Sequence, residues 1–350
     1  MGKYYTRACN FYYGSQSKKK VKTKQSVPLN GNKSISFDEI EIITRNSIKR
    51  IKIKNINILN KILRKKVKRD IQLIKKKKYF KNINLKNIPI IMGILNLTPD
   101  SFSDGGKFNK KNKGFIQANK LISSGCSIID IGGESTRPGS KGINENVEWK
   151  RIKSTLKKIK NKKIVLSLDT RKSAIMLKGI KNNIKLINDV SGLSFDNNTL
   201  SFLKKHKVPF VLNHSQGTPE TMQKNPKYKN VLLDVYDYFE KKISQIRKFG
   251  ISHHNIILDP GIGFGKNLKH NITLISNVSI FHTLGFPIML GASKKRFIKD
   301  IATKNDSKSR TGGTVSTSIY ALLQGVQILR VHDVNEINQS IETFKILNFK

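Results

Sequence analysis

The 350-residue sequence predicts an α/β protein: a (β/α)8 TIM barrel over residues 90–350, carrying a basic N-terminal extension or small subdomain over residues 1–89. Three observations predict it. Short β-branched runs recur from Ile90 onward, each followed by a polar turn and a stretch with helical apolar spacing. Eight such units in roughly 260 residues fit the arithmetic of a closed parallel barrel, with a doubly wound open sheet as the alternative. Each apolar run also ends in a residue able to do chemistry, on the face where barrels of this kind build their sites.

In order, the strands are expected at Ile90–Leu95, Ser127–Ile131, Ile164–Leu168, Lys185–Ile187, Phe210–Leu212, Ile256–Leu258, Ile288–Leu290 and Val326–Leu329. Between them, Asn144–Lys160, Val231–Phe249 and Thr314–Gln324 have helical spacing. The strand ends carry Asn96, then Glu134 to Arg137 shortly after IIDIGG, Asp169, Asn188 with Asp189, His214, Asp259, Ser293 to Lys295, and Arg330 with His332. Taken singly, a strand-terminal Asp caps a helix and a lone Asn makes a turn. The recurrence on every strand instead brings the polar groups to one mouth.

Composition narrows the function classes. A hydrophobic content of 37% with 24 glycines and 9 prolines is globular, and no apolar run nears the roughly 20 residues of a membrane span. Cys9 and Cys126 lie far apart and form no CxxC pair, so neither a disulfide framework nor a zinc site is indicated, and a cytoplasmic location is expected. The formal net charge is +44: residues 1–89 hold 25 Lys/Arg against 4 Asp/Glu (+21), residues 90–350 hold 42 against 19 (+23). Such charge draws polyanions without defining a site, and we read it as solvated surface, nucleic-acid binding being the competing class. Within the extension, Tyr4–Gly14 is aromatic-rich, Lys18–Lys24 is a charge run expected to be mobile, Ser36–Thr44 alternates as a strand, and Ile62–Ile74 has helical spacing. Together they are expected to form a small lid or subdomain. The first acidic residue is Asp38, a pattern compatible with a transit peptide, but no apolar segment of the secretory kind is present. There is no serine nucleophile elbow, HExxH or P-loop.

Two long segments, Ile91–Gly106 (IMGILNLTPDSFSDGG) and Asp130–Ser140 (DIGGESTRPGS), resemble the signatures of the dihydropteroate synthases, a pterin-binding barrel family. SLDTRK (from Ser167), NDVSG (from Asn188), DPGIGFGK (from Asp259), GASKKRF (from Gly291) and RVHDV (from Arg330) extend the likeness over residues 90–350. The basic extension is similar to one seen in a subset of bacterial members. The resemblance implies condensation of 6-hydroxymethyl-7,8-dihydropterin pyrophosphate with 4-aminobenzoate, Mg2+ as cofactor, a homodimer, and sensitivity to sulfonamides. It further implies pterin binding by Asp169, Asn188, Asp259 and Lys295, and pyrophosphate binding by Asn96, Thr136, Arg137, Arg330 and His332, with Asn96 on the metal. Pro138, Phe264 and Ser293 would hold 4-aminobenzoate, and Asp259, Lys295, Asp169 and Arg330 would carry catalysis. The loops at Thr98–Gly106 and Ser135–Gly142 would close over the site. Lys304–Arg310 would precede a dimer-forming helix, and His206, His253, His254 and His270 would have no catalytic part.

Two positions depart from the family pattern. Asn213 stands before His214 where members usually carry a methionine that lines the pterin pocket, and Lys294 replaces a common arginine next to Lys295. A corrinoid-linked pterin methyltransferase shares the Asp/Asn/Asp pocket, but it has no use for STRPG or for Arg330 and His332. An inactive paralogue is disfavoured because every matched catalytic position is filled.

Overall fold

Alternation along a strand sends successive side chains to opposite faces, and in a barrel one face is the axis. The computed structural model describes residues 2–80, 83, 89–98, 112–137, 139–218, 220–302 and 308–348. Four strands come first: β1 (Tyr5–Tyr13), β2 (Val27–Leu29), β3 (Asn32–Ile43) and β4 (Ile48–Lys52), with helices α1 (Gly14–Lys22) and α2 (Lys61–Lys75). The barrel strands follow as β5 (Ile90–Asn96), β6 (Ile128–Gly132), β7 (Val165–Asp169), β8 (Leu186–Asp189), β9 (Phe210–Asn213), β10 (Ile256–Asp259), β11 (Met289–Leu290) and β12 (Ile328–Val331). Their helices are α3 (Lys113–Ser123), α4 (Glu145–Ile159), α5 (Ser173–Ile180), α6 (Thr199–His206), α7 (Val231–Lys248), α8 (Leu268–Ser276), α9 (Arg296–Ala302), α10 (Thr311–Leu323) and α11 (Val334–Asn348).

The barrel strands pair in parallel in the order β10-β9-β8-β7-β6-β5-β12-β11, and a parallel bridge between Leu258 and Ile288 joins the two ends. The sheet is therefore closed, not doubly wound. Met92, Ile128, Leu186, Val211, Ile257, Met289 and Ile328 form one buried apolar set at the strand starts. The opposite phase, including Ile129, Leu168, Ile187, Leu212 and Leu258, is buried in the larger cluster shared with the helices. Two residues further along the axis-facing phase stand Asp130, Asn188, Asn213, Asp259 and Arg330. The dry lower layer, where each fully buried side chain is worth about 1.5–3 kcal/mol, thus supports a polar upper layer. Phe80 and Ile83 belong to the dry set and bridge to each other, so they stopper the strand-start end.

The N-terminal residues form a separate antiparallel sheet in which β3 pairs with β1 on one side and with β2 and β4 on the other. Apolar residues of β3 and the apolar stripe of α2 share a core of Phe37, Ile40, Ile42, Val67, Ile71 and Ile74. The aromatic-rich segment is β1. The charge run is largely ordered, against the expectation of mobility: Lys18–Lys22 lie in α1, anchored where Ser17 Oγ sits 2.8 Å from both the Lys33 carbonyl and Ser36 Oγ. Nor does the sheet act as a lid. Tyr5 Oη donates to Asp237 (2.9 Å), Ser279 Oγ to the Ala8 carbonyl (3.1 Å), Tyr13 Oη to the Leu323 carbonyl (3.0 Å) and Asn30 to the Gly325 carbonyl (3.2 Å). These contacts lie on the outer face of α7 and on turns leading to β11 and β12, so the sheet buttresses the barrel wall. Among the described residues no helix is long and apolar enough to cross a membrane.

Candidate active site

The upper layer is organised around a carboxylate that sequence reasoning did not single out. Asp130 sits inside β6, fully buried, and its Oδ2 accepts from Arg330 Nε at 2.7 Å and from Asn188 Nδ2 at 2.8 Å, while its Oδ1 accepts from Ser167 Oγ at 2.6 Å. Arg330 Nη2 reaches on to Asp169 Oδ2 at 2.7 Å. One guanidinium therefore ties β12 to β6 and β7, and Asp130 ties in β8. Burial works against the Arg330 charge, but Asp130 and Asp169 outweigh it and raise its pKa. Burial pushes the Asp169 carboxyl up to about 8, with Arg330 opposing and Asp130 reinforcing. The signal that could have found Asp130 is a carboxylate in the middle of an otherwise apolar strand, IIDIG.

A second group gathers around β10. Asp259 Oδ1 accepts from the Gly261 amide at 2.8 Å, and burial raises its pKa against the pull of that bond and of Lys295. Lys295 Nζ lies 3.8 Å from the centre of the Phe264 ring, and burial pushes its pKa down to about 7, with Asp259 opposing. Beneath the loop, Lys266 was also missed. Its ammonium donates to His214 Nδ1 and the Phe264 carbonyl, each at 2.9 Å, and to the His214 carbonyl at 3.3 Å, clamping the β9 and β10 loops together. Gly261 is needed for this closeness: at φ +69° a Cβ would stand 1.9 Å from the His214 carbonyl oxygen.

Asn96 ends β5 beside Gly132, where a Cβ would lie 3.5 Å from both Asn96 Oδ1 and the Asp169 Cβ. His332 Nδ1 is 3.0 Å from Ser293 Oγ, and burial together with Arg330 and Lys294 pushes its pKa down to about 3, so the ring is neutral. Lys294 pairs with Asp333 at 2.7 Å. Thr136 and Arg137 lie in a turn closed by Ser140, with Arg137 exposed. Pro138 and most of the Thr98–Gly106 loop fall outside the described residues, as does the start of the Lys304–Arg310 loop. Asp189 and Glu134 are supports: Asp189 Oδ1 accepts the Ser191 amide at 2.8 Å, and Glu134 receives Arg171 (2.9 Å) and Lys172 (3.0 Å). His253 stacks on Phe286 and His270 completes the N-cap of α8, both structural tasks. Among the described residues no group of three or more His, Cys, Asp or Glu could hold a metal.

Residues 92–332 match the family described as pterin binding enzyme. The dihydropteroate synthase of Synechocystis sp. is 38% identical over 250 residues, spanning 71% of this chain and 86% of that protein. The chain belongs to the dihydropteroate synthase family. A crystal structure of the Yersinia pestis dihydropteroate synthase with a sulfonamide drug superposes with a TM-score of 0.71 at 36% identity, covering 76% of this chain and 96% of that one. The Xanthomonas albilineans dihydropteroate synthase with 4-aminobenzoic acid gives a TM-score of 0.71 at 31% identity, over 76% and 94%. The activity is accordingly that of a dihydropteroate synthase, a transferase of folate biosynthesis acting on small molecules, and the nucleic-acid and methyltransferase readings give way to it.

Proposed function

We propose that this mouth binds 6-hydroxymethyl-7,8-dihydropterin pyrophosphate and 4-aminobenzoate, and that its own residues divide the work as follows. The observation that carries the assignment is the convergence of Asp169, Asn188 and Arg330 on Asp130, beside Asp259 and Lys295, in one buried polar layer. A pterin offers an aminopyrimidine edge and a ring carbonyl. Asp259 would accept from the guanidine-like edge, its free Oδ2 giving orientation as well as energy, and Lys295 would donate to the carbonyl. Asn188 and Asp169 complete the polar surround.

Leaving of pyrophosphate is assisted by charge, not by a general base. Arg330 and neutral His332 would meet the diphosphate, joined by Thr136 and Arg137 from the loop after β6. Mg2+ would be held by Asn96 and the diphosphate oxygens, and when bound it neutralises charge on the leaving group. The C–O bond breaks first and the electron pair leaves with pyrophosphate. The ring system carries the cation, and the arylamine nitrogen then forms the new C–N bond and loses a proton. Phe264 and Pro138 would sandwich the benzoate ring, with Ser293 at its carboxylate. The relative from Xanthomonas albilineans solved with 4-aminobenzoic acid supports this slot. Exposed apolar side chains on the last helices, Tyr320 at 45%, Ile346 at 59% and Leu347 at 75%, support a homodimer through α10 and α11. A cytoplasmic setting suits two free buried cysteines.

The test is a pyrophosphate-release assay. Release should require the pterin pyrophosphate and Mg2+ and accelerate with 4-aminobenzoate, and a sulfonamide should raise the apparent KM for 4-aminobenzoate alone. Release that does not respond to the arylamine, or none with both substrates, would overturn the assignment.

A further inference from the structure

We infer that Asn213 is a further pterin-recognition residue, whose side-chain oxygen takes an N–H of the bound ring. The inference rests on the proposed function and deepens it. Asn213 ends β9, two positions past the axis-facing Val211, so strand alternation turns it into the polar layer. In the parallel register its partner is Asp259, the carboxylate assigned to the aminopyrimidine edge. The residue is 1% exposed, and among the described residues its Oδ1 is buried without any hydrogen-bond partner.

A buried polar atom with nothing to bond is rare in folded proteins and marks a place where something is expected to bind. Among the described residues no donor is placed to serve it. The nearby turn presents Gly261, whose missing Cβ would have stood 2.8 Å from Asn213 Oδ1, and Tyr238 Oη is committed to the Asn213 backbone carbonyl at 3.2 Å. Asn188 Oδ1 on the neighbouring strand is likewise buried and unpartnered, its amide nitrogen being spent on Asp130.

Strands β8, β9 and β10 therefore present three adjacent acceptor groups, the oxygens of Asn188, Asn213 and Asp259. A reduced pterin carries N–H groups on its exocyclic amine and on two ring nitrogens, a donor-rich edge that matches them. A thioether at this position, as the family resemblance leads one to expect, offers only a weak acceptor. Asn213 thus replaces an apolar contact with a directional one, which selects for ligands that keep the N–H it faces.

The experiment uses the full chain and compares wild type with Asn213→Leu, which is near in size but has no acceptor, and with Asn213→Ala in case Leu fails to fold. Steady-state KM values for both substrates are measured, together with calorimetric binding of 6-hydroxymethyl-7,8-dihydropterin. We expect pterin affinity to fall roughly tenfold in either variant, with the KM for 4-aminobenzoate within twofold of wild type. A folded variant that binds the pterin as tightly as wild type would show that a buried water, not the ligand, satisfies Asn213. A parallel rise in both KM values would point to a general loss of shape and equally overturn the inference. Absence of pterin binding by wild type would instead remove the proposed function, and this inference with it.

Discussion

At the scale of single residues, the site is a balance of buried charges whose partners are also its structural supports. Asp259 carries no ion pair shorter than 4 Å among the described residues, and the bond it accepts from the Gly261 amide is one that an asparagine oxygen can keep, although buried Lys295 loses a nearby opposing charge. Asp259→Asn should therefore lose about a hundredfold in kcat/KM while keeping its melting temperature within a degree or two. Near-wild-type turnover would remove Asp259 from the pterin edge. Arg330→Ala is different because it strands Asp130 and Asp169 together. Besides weakening use of the pyrophosphate substrate, it should cost about 3–5 kcal/mol of stability at neutral pH. Urea midpoints of the variant and wild type read this directly, and an unchanged midpoint would contradict the network. These residues were legible in the sequence because polar groups ending apolar strands share a face by construction. Asp130 and Lys266 were not, since one sits inside a strand and the other acts through contacts between loops.

At the scale of elements, the eight barrel strands were found within a residue or two because their apolar runs are short, β-branched and bounded by turns. The extension was harder to place. Aromatic richness in Tyr4–Gly14 and a lysine run after it carry no periodicity, and their order comes from β3 and α7, distant in sequence. A joint between the two parts is His282, fully buried, whose Nε2 faces the Gln324 carbonyl at 2.8 Å and whose Nδ1 faces the Asn30 amide at 3.4 Å. Burial pushes its pKa down to about 3. An unfolded histidine protonates near 6.5, so between there and about 3 the unfolded chain holds a proton that the native chain lacks. Stability attributable to this ring is complete above that window and falls by about 1.4 kcal/mol for each pH unit of acidification within it. His282→Gln should flatten the acid slope by that amount when denaturant midpoints at pH 7 and pH 5 are compared. Parallel slopes in the two proteins would show that His282 does not titrate as described.

At the scale of the whole molecule, closure of the barrel was predictable from the number of units, whereas the seat of the N-terminal sheet was not, because docking against a convex helical wall leaves no local pattern. The segment after α2 supplies Phe80 and Ile83 to the dry layer beneath the polar mouth. A chain starting at Lys86 would lose both, together with the Ala8 carbonyl that Ser279 bonds. We expect it to melt well below the full-length chain and to aggregate on warming, while the fraction that remains folded keeps the same two KM values. A shift in either KM would assign the extension a part in substrate binding. The excess of positive charge, +44 overall, should give only salt-sensitive nucleic-acid retention that disappears at moderate ionic strength.

The sheet's anchoring has a consequence for biosynthesis. Three of its hydrogen bonds to the wall join positions 232 to 310 residues apart, Tyr5 with Asp237, Ala8 with Ser279 and Tyr13 with Leu323. A ribosome delivers the first partner of each pair long before the second, at about 5–20 residues per second. For tens of seconds β1 must wait with its seat not yet made, its apolar face open to chaperones or to the same face of a neighbouring nascent chain. Residues 1–89 carry 25 Lys/Arg against 4 Asp/Glu, a like charge on every such waiting chain.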